Sequence, residues 1–136
     1  MPTLSGGCLC EAVRFEVEPE FRKLNICHCK QCQRTTGSAF ASNLFVDPQA
    51  FRWIDGEDRI RRFDVSGRSI SNAFCTDCGS RIPYQSKASE SVVIPAGTLD
   101  DGPKSVPNIA NIFWGERAPW YDNAIEATCF DGFADL

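Results

Sequence analysis

The stretches CHCKQCQRTTG, residues 27–37, and FCTDCGS, residues 74–80, decide the fold because they concentrate cysteines in closely spaced pairs. A Cys-x-x-Cys turn lets two thiolates reach one metal ion while backbone N–H groups point at the sulfurs. Gly79, directly after the second such turn, permits the tight backbone that the turn needs. The two stretches therefore predict a domain built around bound metal.

Seven of the eight cysteines fall into three groups, and Cys129 stands alone near the end of the chain. Seven sulfurs exceed what one tetrahedral ion uses, and they divide naturally into four plus three. Four thiolates close a structural zinc site, whereas three leave a position for water or substrate, as catalytic zinc requires. We therefore expect two zinc ions, one structural and one catalytic. The three groups are Cys8 and Cys10; Cys27, Cys29 and Cys32; and Cys75 and Cys78.

Spacing alone leaves the partition of these groups open. The cysteines at 29 and 32 could form a ribbon with those at 75 and 78, but 42 residues lie between Cys32 and Cys75, against roughly 15–20 in the usual ribbon. Joining the first pair to the 75–78 pair leaves the 27–32 cysteines together on one short turn, and we favour this partition. A single structural zinc beside ordinary buried thiols is the alternative. An iron–sulfur cluster is disfavoured because there is no regular four-cysteine run.

The length and charge of the chain restrict the classes of function. A chain of 136 residues predicts one domain over residues 1–136. The net charge of -4 and pI near 4.9 argue against nucleic acid or an anionic membrane as the main partner. Met1–Gly7 has neither a basic segment nor an apolar run, so a soluble cytoplasmic protein is expected. In that reducing compartment, clustered cysteines serve as metal ligands or catalytic groups rather than disulfides.

Hydrophobic residues alternate with period two in several short segments, which predicts an all-β, mainly antiparallel domain. Only Lys30–Thr36, closed by Gly37 as a C-terminal cap, is typical of a helix. Turns are predicted at residues 55–56, at residues 101–103 and around Pro107. The predicted strands are Val13–Val17, Ala39–Val46, Ile60–Val65, Ser69–Phe74, Ser91–Ile94 and Asn108–Trp114.

Several longer stretches resemble the glutathione-dependent formaldehyde-activating family. They are GCLC at 7–10 with VRF at 13–15, CHCKQCQRTTGSAF at 27–40, FCTDCGS at 74–80, AGTLDD at 96–101 and APW at 118–120. The resemblance implies a zinc-stabilised β-tent fold with one short helix. It also implies the favoured partition, with a structural zinc on Cys8, Cys10, Cys75 and Cys78 and a catalytic zinc on Cys27, Cys29 and Cys32.

The activity implied by the resemblance is that of a carbon–sulfur lyase, in which glutathione and formaldehyde combine to S-(hydroxymethyl)glutathione. A small thiol and a small aldehyde are then the partners. A three-thiolate zinc suits this chemistry because a free thiol, with a pKa near 8.5, is mostly protonated at neutral pH, and coordination removes that proton. Two other hypotheses stand beside the enzyme. They are a non-catalytic, zinc-stabilised binding module and a thiol redox protein, the latter only if zinc does not hold Cys29 and Cys32.

Three cations near the motifs are candidates for binding the two carboxylates of glutathione. They are Lys30, Arg34 and Arg117, and solvated surface charge is the alternative interpretation of each. Trp114 and Trp120 are candidates either for lining a cleft or for packing.

Three further residues bear on the resemblance. His28, the only histidine, lies between two proposed ligands, and the alternation of an extended chain turns it away from their metal, so a structural or surface role is expected. Asn111 stands where the family often has histidine and cannot exchange protons near neutral pH. Glu11 stands where the family usually has glycine, which is expected to loosen the first cysteine turn without removing a ligand.

Overall fold

The computed structural model describes residues 2–134, in which ten strands and two short α-helices form the regular structure. In chain order these are β1 (Leu4–Gly7), β2 (Arg14–Val17), β3 (Lys23–Cys27), α1 (Lys30–Thr36), β4 (Ala41–Val46), β5 (Phe51–Asp55), β6 (Ile60–Asp64), β7 (Ser71–Cys75), β8 (Tyr84–Gln85), β9 (Val92–Pro95), β10 (Ile109–Ile112) and α2 (Tyr121–Ile125). Within the described residues, no helix is long and apolar enough to cross a membrane.

The strands form three sheets. The largest has the order β10-β3-β4-β9-β8, and a second has the order β1-β2-β5. The third is the hairpin of β6 and β7. Every pair of neighbouring strands is antiparallel except β10, which runs parallel to β3. The expected mainly antiparallel all-β fold is therefore confirmed.

The main core lies where the inner faces of the two larger sheets meet. Phe15 and Val17 of β2 pack with Leu44 and Val46 of β4 and with Ile94 of β9, and all five side chains are almost completely buried. The period-two alternation of these strands places their apolar side chains on one face. Complete burial of each such side chain stabilises the fold by about 1.5–3 kcal/mol. No cysteine belongs to this core cluster.

Two smaller apolar clusters surround the cysteines. Cys8 and Cys75 pack with Val13, Ile82 and Val93. The cysteines of residues 27–32 pack with Ala41, and Ile70 and Ile112 cover them. Five of the seven clustered thiols are therefore buried at the margin of the main core, whereas Cys10 is exposed and Cys78 is half-buried.

The predicted elements agree with the structure to within two residues at either end, and α1 agrees at both ends. Gly37 ends this helix with φ 63°, and its N–H donates to the Gln33 carbonyl, as the cap prediction requires. The turn at residues 55–56 is also confirmed, with Gly56 at φ 82°. The last strand, predicted at 108–114, shows the largest excess in length. The segment at 108–114 leaves the sheet after Ile112, because Phe113 has a left-handed φ of 52° and a 3-10 turn follows.

The sequence did not predict β1, β3, β5, β8 or α2. The segment of β1 reads LSGG, and its glycines are typical of a loop. In the structure, a Cβ at Gly6 would lie 2.5 Å from the ring of Phe15, so this glycine permits a close approach between two strands. A glycine that allows strand packing cannot be distinguished from a turn glycine by the local pattern alone.

Candidate metal sites and an adjoining cavity

Four cysteines from distant parts of the chain form the first cluster. Cys8 and Cys10 lie in the turn between β1 and β2, Cys75 ends β7, and Cys78 follows three residues later. Their four sulfurs all lie within 4.8 Å of one another. A tetrahedral zinc with Zn–S bonds of about 2.3 Å separates its sulfurs by about 3.8 Å. The observed distances of 3.6 Å from Cys8 to Cys10 and 3.9 Å from Cys10 to Cys75 fit that ion.

The backbone around this cluster has the geometry of a metal-binding turn. The Val13 N–H donates to Cys8 Sγ at 3.3 Å, which stabilises a thiolate there. Gly79 has φ 77°, and its N–H donates to the Cys75 carbonyl at 2.8 Å. Glu11 also has a left-handed φ, of 66°. The glycine expected at this position from the resemblance is therefore explained by the conformation of the turn.

Hydrogen bonds favour the charged form of one thiol in the first cluster. The side chain of Ser80 lowers the pKa of Cys78 to about 5, and the Ser80 backbone adds to the effect. Cys78 Sγ and Ser80 Oγ lie 3.3 Å apart. Since the thiolate is the form that binds metal, this environment prepares Cys78 as a ligand.

Three cysteines close together in the sequence form the second cluster. Cys27 ends β3, Cys29 is the N-cap of α1, and Cys32 lies in the first turn of that helix. The Cys32 N–H donates to Cys29 Sγ at 3.4 Å. All three side chains are buried, and their sulfurs lie within 4.8 Å of one another. The strand end and the helix start thus place three thiols on one side of a short turn.

A hydrogen bond between Cys32 and Cys27 in the second cluster changes the pKa values of these two thiols in opposite directions. The hydrogen bond from the Cys32 thiol lowers the pKa of Cys27 to about 6, against the opposing effect of burial. The same hydrogen bond, together with burial, raises the pKa of Cys32. One thiolate is therefore stable in the cluster at neutral pH, and an incoming divalent cation would meet a negative charge.

A cavity of about 240 Å³ opens beside the second cluster, and all three of its cysteines line the wall. The rest of the wall comes from β3, β4, β8, β9, the end of β10 and the loop between β6 and β7. These residues are Asn25, Asn43, Phe45, Arg68, Ser69, Ile70, Tyr84, Ser86, Val93, Ile112 and Phe113. A surface hollow also adjoins Cys8, but four sulfurs already complete a tetrahedral set there.

The three cations predicted from the sequence do not line this cavity. Lys30 and Arg34 are exposed on α1. The Arg117 guanidinium lies 4.4 Å from the centroid of Trp114 and binds Asp122. The cation that does line the cavity is Arg68, which the sequence analysis missed. Arg68 lies outside the cysteine motifs, in the segment before residues 74–80, and no local signal distinguishes it from an ordinary loop arginine.

His28 faces away from the cavity, as its alternation with Cys27 and Cys29 predicts. It is completely buried, so the structural role holds and the surface role is wrong. Its Nε2 lies 3.0 Å from Asn111 Oδ1. Its ring packs against the rings of Phe40, Trp114 and Tyr121 at centroid distances of 5.3, 4.9 and 5.2 Å. Neither His28 nor Asn111 lies on the cavity wall.

The two tryptophans named from the sequence are also absent from this wall. Trp114 packs on His28, and Trp120 is 55% exposed. Cys129 is exposed and belongs to neither cluster.

Fold and clusters together define an all-β protein with a closed set of four thiols and an open set of three, each suited to a metal ion such as zinc. Two comparisons with known proteins extend this description. The family described as glutathione-dependent formaldehyde-activating enzyme matches residues 3–116, and the chain belongs to this family. A crystal structure of a Rhodobacter sphaeroides protein is similar in fold, with a TM-score of 0.62 and 22% identity. The similarity covers 79% of this chain and 98% of that one.

Proposed function

We propose that this protein is a zinc-dependent enzyme of the carbon–sulfur lyase type, which joins a small thiol such as glutathione to a small aldehyde such as formaldehyde, or reverses that reaction. Cys27, Cys29 and Cys32 would hold the catalytic zinc. The observation that carries the proposal is the position of these three buried sulfurs on the wall of a cavity. The family to which the chain belongs supports the choice of glutathione and formaldehyde.

When bound, the zinc would supply an open position that favours the thiolate form of a thiol or polarises an aldehyde oxygen. In the reaction, the thiol sulfur adds to the carbonyl carbon. One carbon–sulfur bond forms, the carbon–oxygen double bond becomes single, and the proton lost by sulfur is balanced by one gained by oxygen. The three cysteines would hold the metal, and the cavity would hold the two reactants beside each other.

The remaining wall residues orient reactants rather than exchange protons. Asn25 and Asn43 offer neutral amides, which donate and accept hydrogen bonds. Burial raises the pKa of Tyr84, so its hydroxyl stays protonated at neutral pH. His28 and Asn111 lie off the wall, so neither contacts a reactant in the cavity. His28 is a minor cause of the lowered pKa of Cys27.

The first cluster would serve as the structural zinc site. Cys8, Cys10, Cys75 and Cys78 complete a tetrahedral set, so they leave no position for a substrate. Two clusters of reduced thiols also fit a reducing compartment, and we place the activity in the cytoplasm on that ground.

The experiment that tests this function removes one thiol of the open cluster. Cys29→Ser is expected to lower the zinc content from two ions per chain to one and to abolish addition of glutathione to formaldehyde. Its circular dichroism should match the parent's, since an open site contributes less to the architecture. Zinc is measured by elemental analysis and addition by the loss of free thiol.

Cys129→Ser is the matched control, because that thiol lies outside both clusters, and it should keep both zinc ions and full activity. A Cys29→Ser protein that still added glutathione to formaldehyde would contradict the proposed site. A parent with two zinc ions and no addition activity would favour the binding module instead.

A further inference from the structure

We propose that Arg68 binds a carboxylate of the thiol substrate and thereby selects acidic thiols, a role that rests on the proposed function in placing the thiol sulfur at Cys27, Cys29 and Cys32. Arg68 lies in the loop between β6 and β7 and forms part of the cavity wall together with these cysteines. It is the one charged side chain on the wall, apart from the thiols. The cavity therefore offers a cation to a ligand and no carboxylate to repel an acidic one.

The guanidinium of Arg68 is available, unlike those of most other arginines in the chain. Six arginines form ion pairs with carboxylates of the protein itself, and these are Arg14, Arg22, Arg52, Arg59, Arg62 and Arg117. Within residues 2–134, the side chain of Arg68 makes neither an ion pair nor a hydrogen bond. Its planar group, with five N–H donors, matches a carboxylate in bidentate geometry.

Asn43 supplies a second, independent indication of a polar ligand. Its side chain is only 8% exposed and lines the cavity, and its Oδ1 is buried without a hydrogen-bond partner. Buried amides are ordinarily satisfied. Opposite it in the sheet register lies Asn25, another amide of the wall. A ligand with peptide N–H groups, such as a thiol-containing peptide, would satisfy this acceptor.

Phe113, which lies next to Arg68 in space, has a backbone conformation that residues with large side chains rarely adopt. Phe113 has φ 52°, and its ring centroid lies 6.0 Å from the Arg68 guanidinium carbon. Such conformations persist where the surrounding structure requires them, often at binding sites. Here the conformation ends β10 and places the aromatic ring on the cavity wall next to the cation.

The cavity is too small to enclose a whole peptide ligand. At about 240 Å³ it is smaller than the roughly 300–1,000 Å³ of ordinary ligand pockets. It therefore accommodates the thiol-bearing part of a peptide at the cysteines, while a carboxylate stays near the surface. Arg68 is exposed, which suits that outer position.

Calorimetric titration of the zinc-loaded protein tests the role of Arg68. The ligands are glutathione, which has carboxylates, 2-mercaptoethanol, which has none, and S-methylglutathione, which keeps the carboxylates but lacks a free thiol. Arg68→Ala should weaken glutathione and S-methylglutathione about two- to fivefold, because the Arg68 side chain is exposed, and leave 2-mercaptoethanol unchanged. Arg34→Ala, the matched control, should change none of the three because Arg34 lies off the cavity wall.

Two results would overturn the role of Arg68. The first is an unchanged affinity for glutathione in Arg68→Ala, and the second is an absence of glutathione binding by the parent. Equal weakening of all three ligands would also contradict it, since that pattern indicates general damage to the site. If the parent binds glutathione through Arg68 but adds no thiol to formaldehyde, the proposed reaction fails and the carboxylate contact stands.

Discussion

Glu11 has a left-handed backbone conformation that costs an ordinary side chain about 1–2 kcal/mol. It lies in the turn that carries Cys8 and Cys10, and its N–H donates to the Cys8 carbonyl at 3.1 Å. The turn therefore forms despite the glutamate and stores strain next to two cysteines of the first cluster.

Glu11→Gly should stabilise the protein by about 0.5–1 kcal/mol, because relief of the left-handed strain exceeds the extra backbone entropy that glycine loses on folding. Equilibrium unfolding in urea of the zinc-loaded protein measures the change. Glu11→Gln is the control, since it removes the charge and keeps the strain, and it should unfold like the parent. If both variants gained the same stability, charge rather than backbone strain would be the cause.

Residue types and spacing predicted which cysteines cluster together, but they did not predict which other residues form the cavity wall. The seven clustered cysteines are found in the four-plus-three partition that the long loop between Cys32 and Cys75 favoured and the family resemblance implied. Arg68 was missed because it reaches the cavity through the pairing of β6 with β7, and nothing in its neighbouring residues records that pairing. Clusters of cysteines in short motifs can be predicted from the sequence, whereas a wall assembled from several strands requires the fold.

Among the elements, α1 was predicted correctly because its signals are local. A glycine C-cap and a short polar helix need no tertiary information. Cys29 combines two roles there, as a proposed ligand and as the N-cap whose sulfur accepts the Cys32 N–H. Serine is itself a favoured N-cap residue. Cys29→Ser therefore removes a metal ligand while it preserves the start of the helix, which supports the expectation that this variant folds.

The segment after β9 is attached to β2 by one ion pair. Arg14 Nη2 lies 2.6 Å from Asp100 Oδ2, and this hydrogen bond is the main reason why the pKa of Asp100 is lowered. A carboxyl with a lowered pKa stabilises the fold above its ordinary pKa, near 4, and the stabilisation is lost as the pH falls through and below that value. Both side chains are partly exposed, so the pair contributes under about 1 kcal/mol.

Asp100→Asn should therefore lower the free energy of unfolding by less than about 1 kcal/mol at pH 7, and the difference from the parent should shrink as the pH falls from 5 to 3. Urea unfolding at a series of pH values measures this difference. Asp101→Asn changes the neighbouring carboxyl, which forms no ion pair within residues 2–134, and serves as control. A constant difference across the pH series would show that the effect is not electrostatic.

In the whole molecule, the first cluster joins the beginning of the chain to its middle. Cys8 and Cys10 precede β2, whereas Cys75 and Cys78 follow β7, and 64 residues lie between Cys10 and Cys75. Zinc binding across such a separation would contribute directly to the free energy of folding.

Cys75→Ser should lose several kcal/mol, a large part of the 5–15 kcal/mol that stabilises an ordinary domain. The variant is expected to be poorly soluble and to melt well below the parent, as circular dichroism during heating would show. Cys129→Ser should melt like the parent. If Cys75→Ser kept the solubility and melting temperature of the parent, Cys75 would not belong to a structural metal site.

The two clusters also differ in when each becomes complete during synthesis of the chain. The ligands of the second cluster span residues 27–32, so they can meet an ion as soon as this short segment leaves the ribosome. The first cluster must wait until residue 78 has been made, and its assembly closes a long loop at an entropic cost. If both clusters bind zinc as proposed, the positions of the cysteines along the chain would make the cluster of residues 27–32 complete before the cluster that joins the beginning of the chain to its middle.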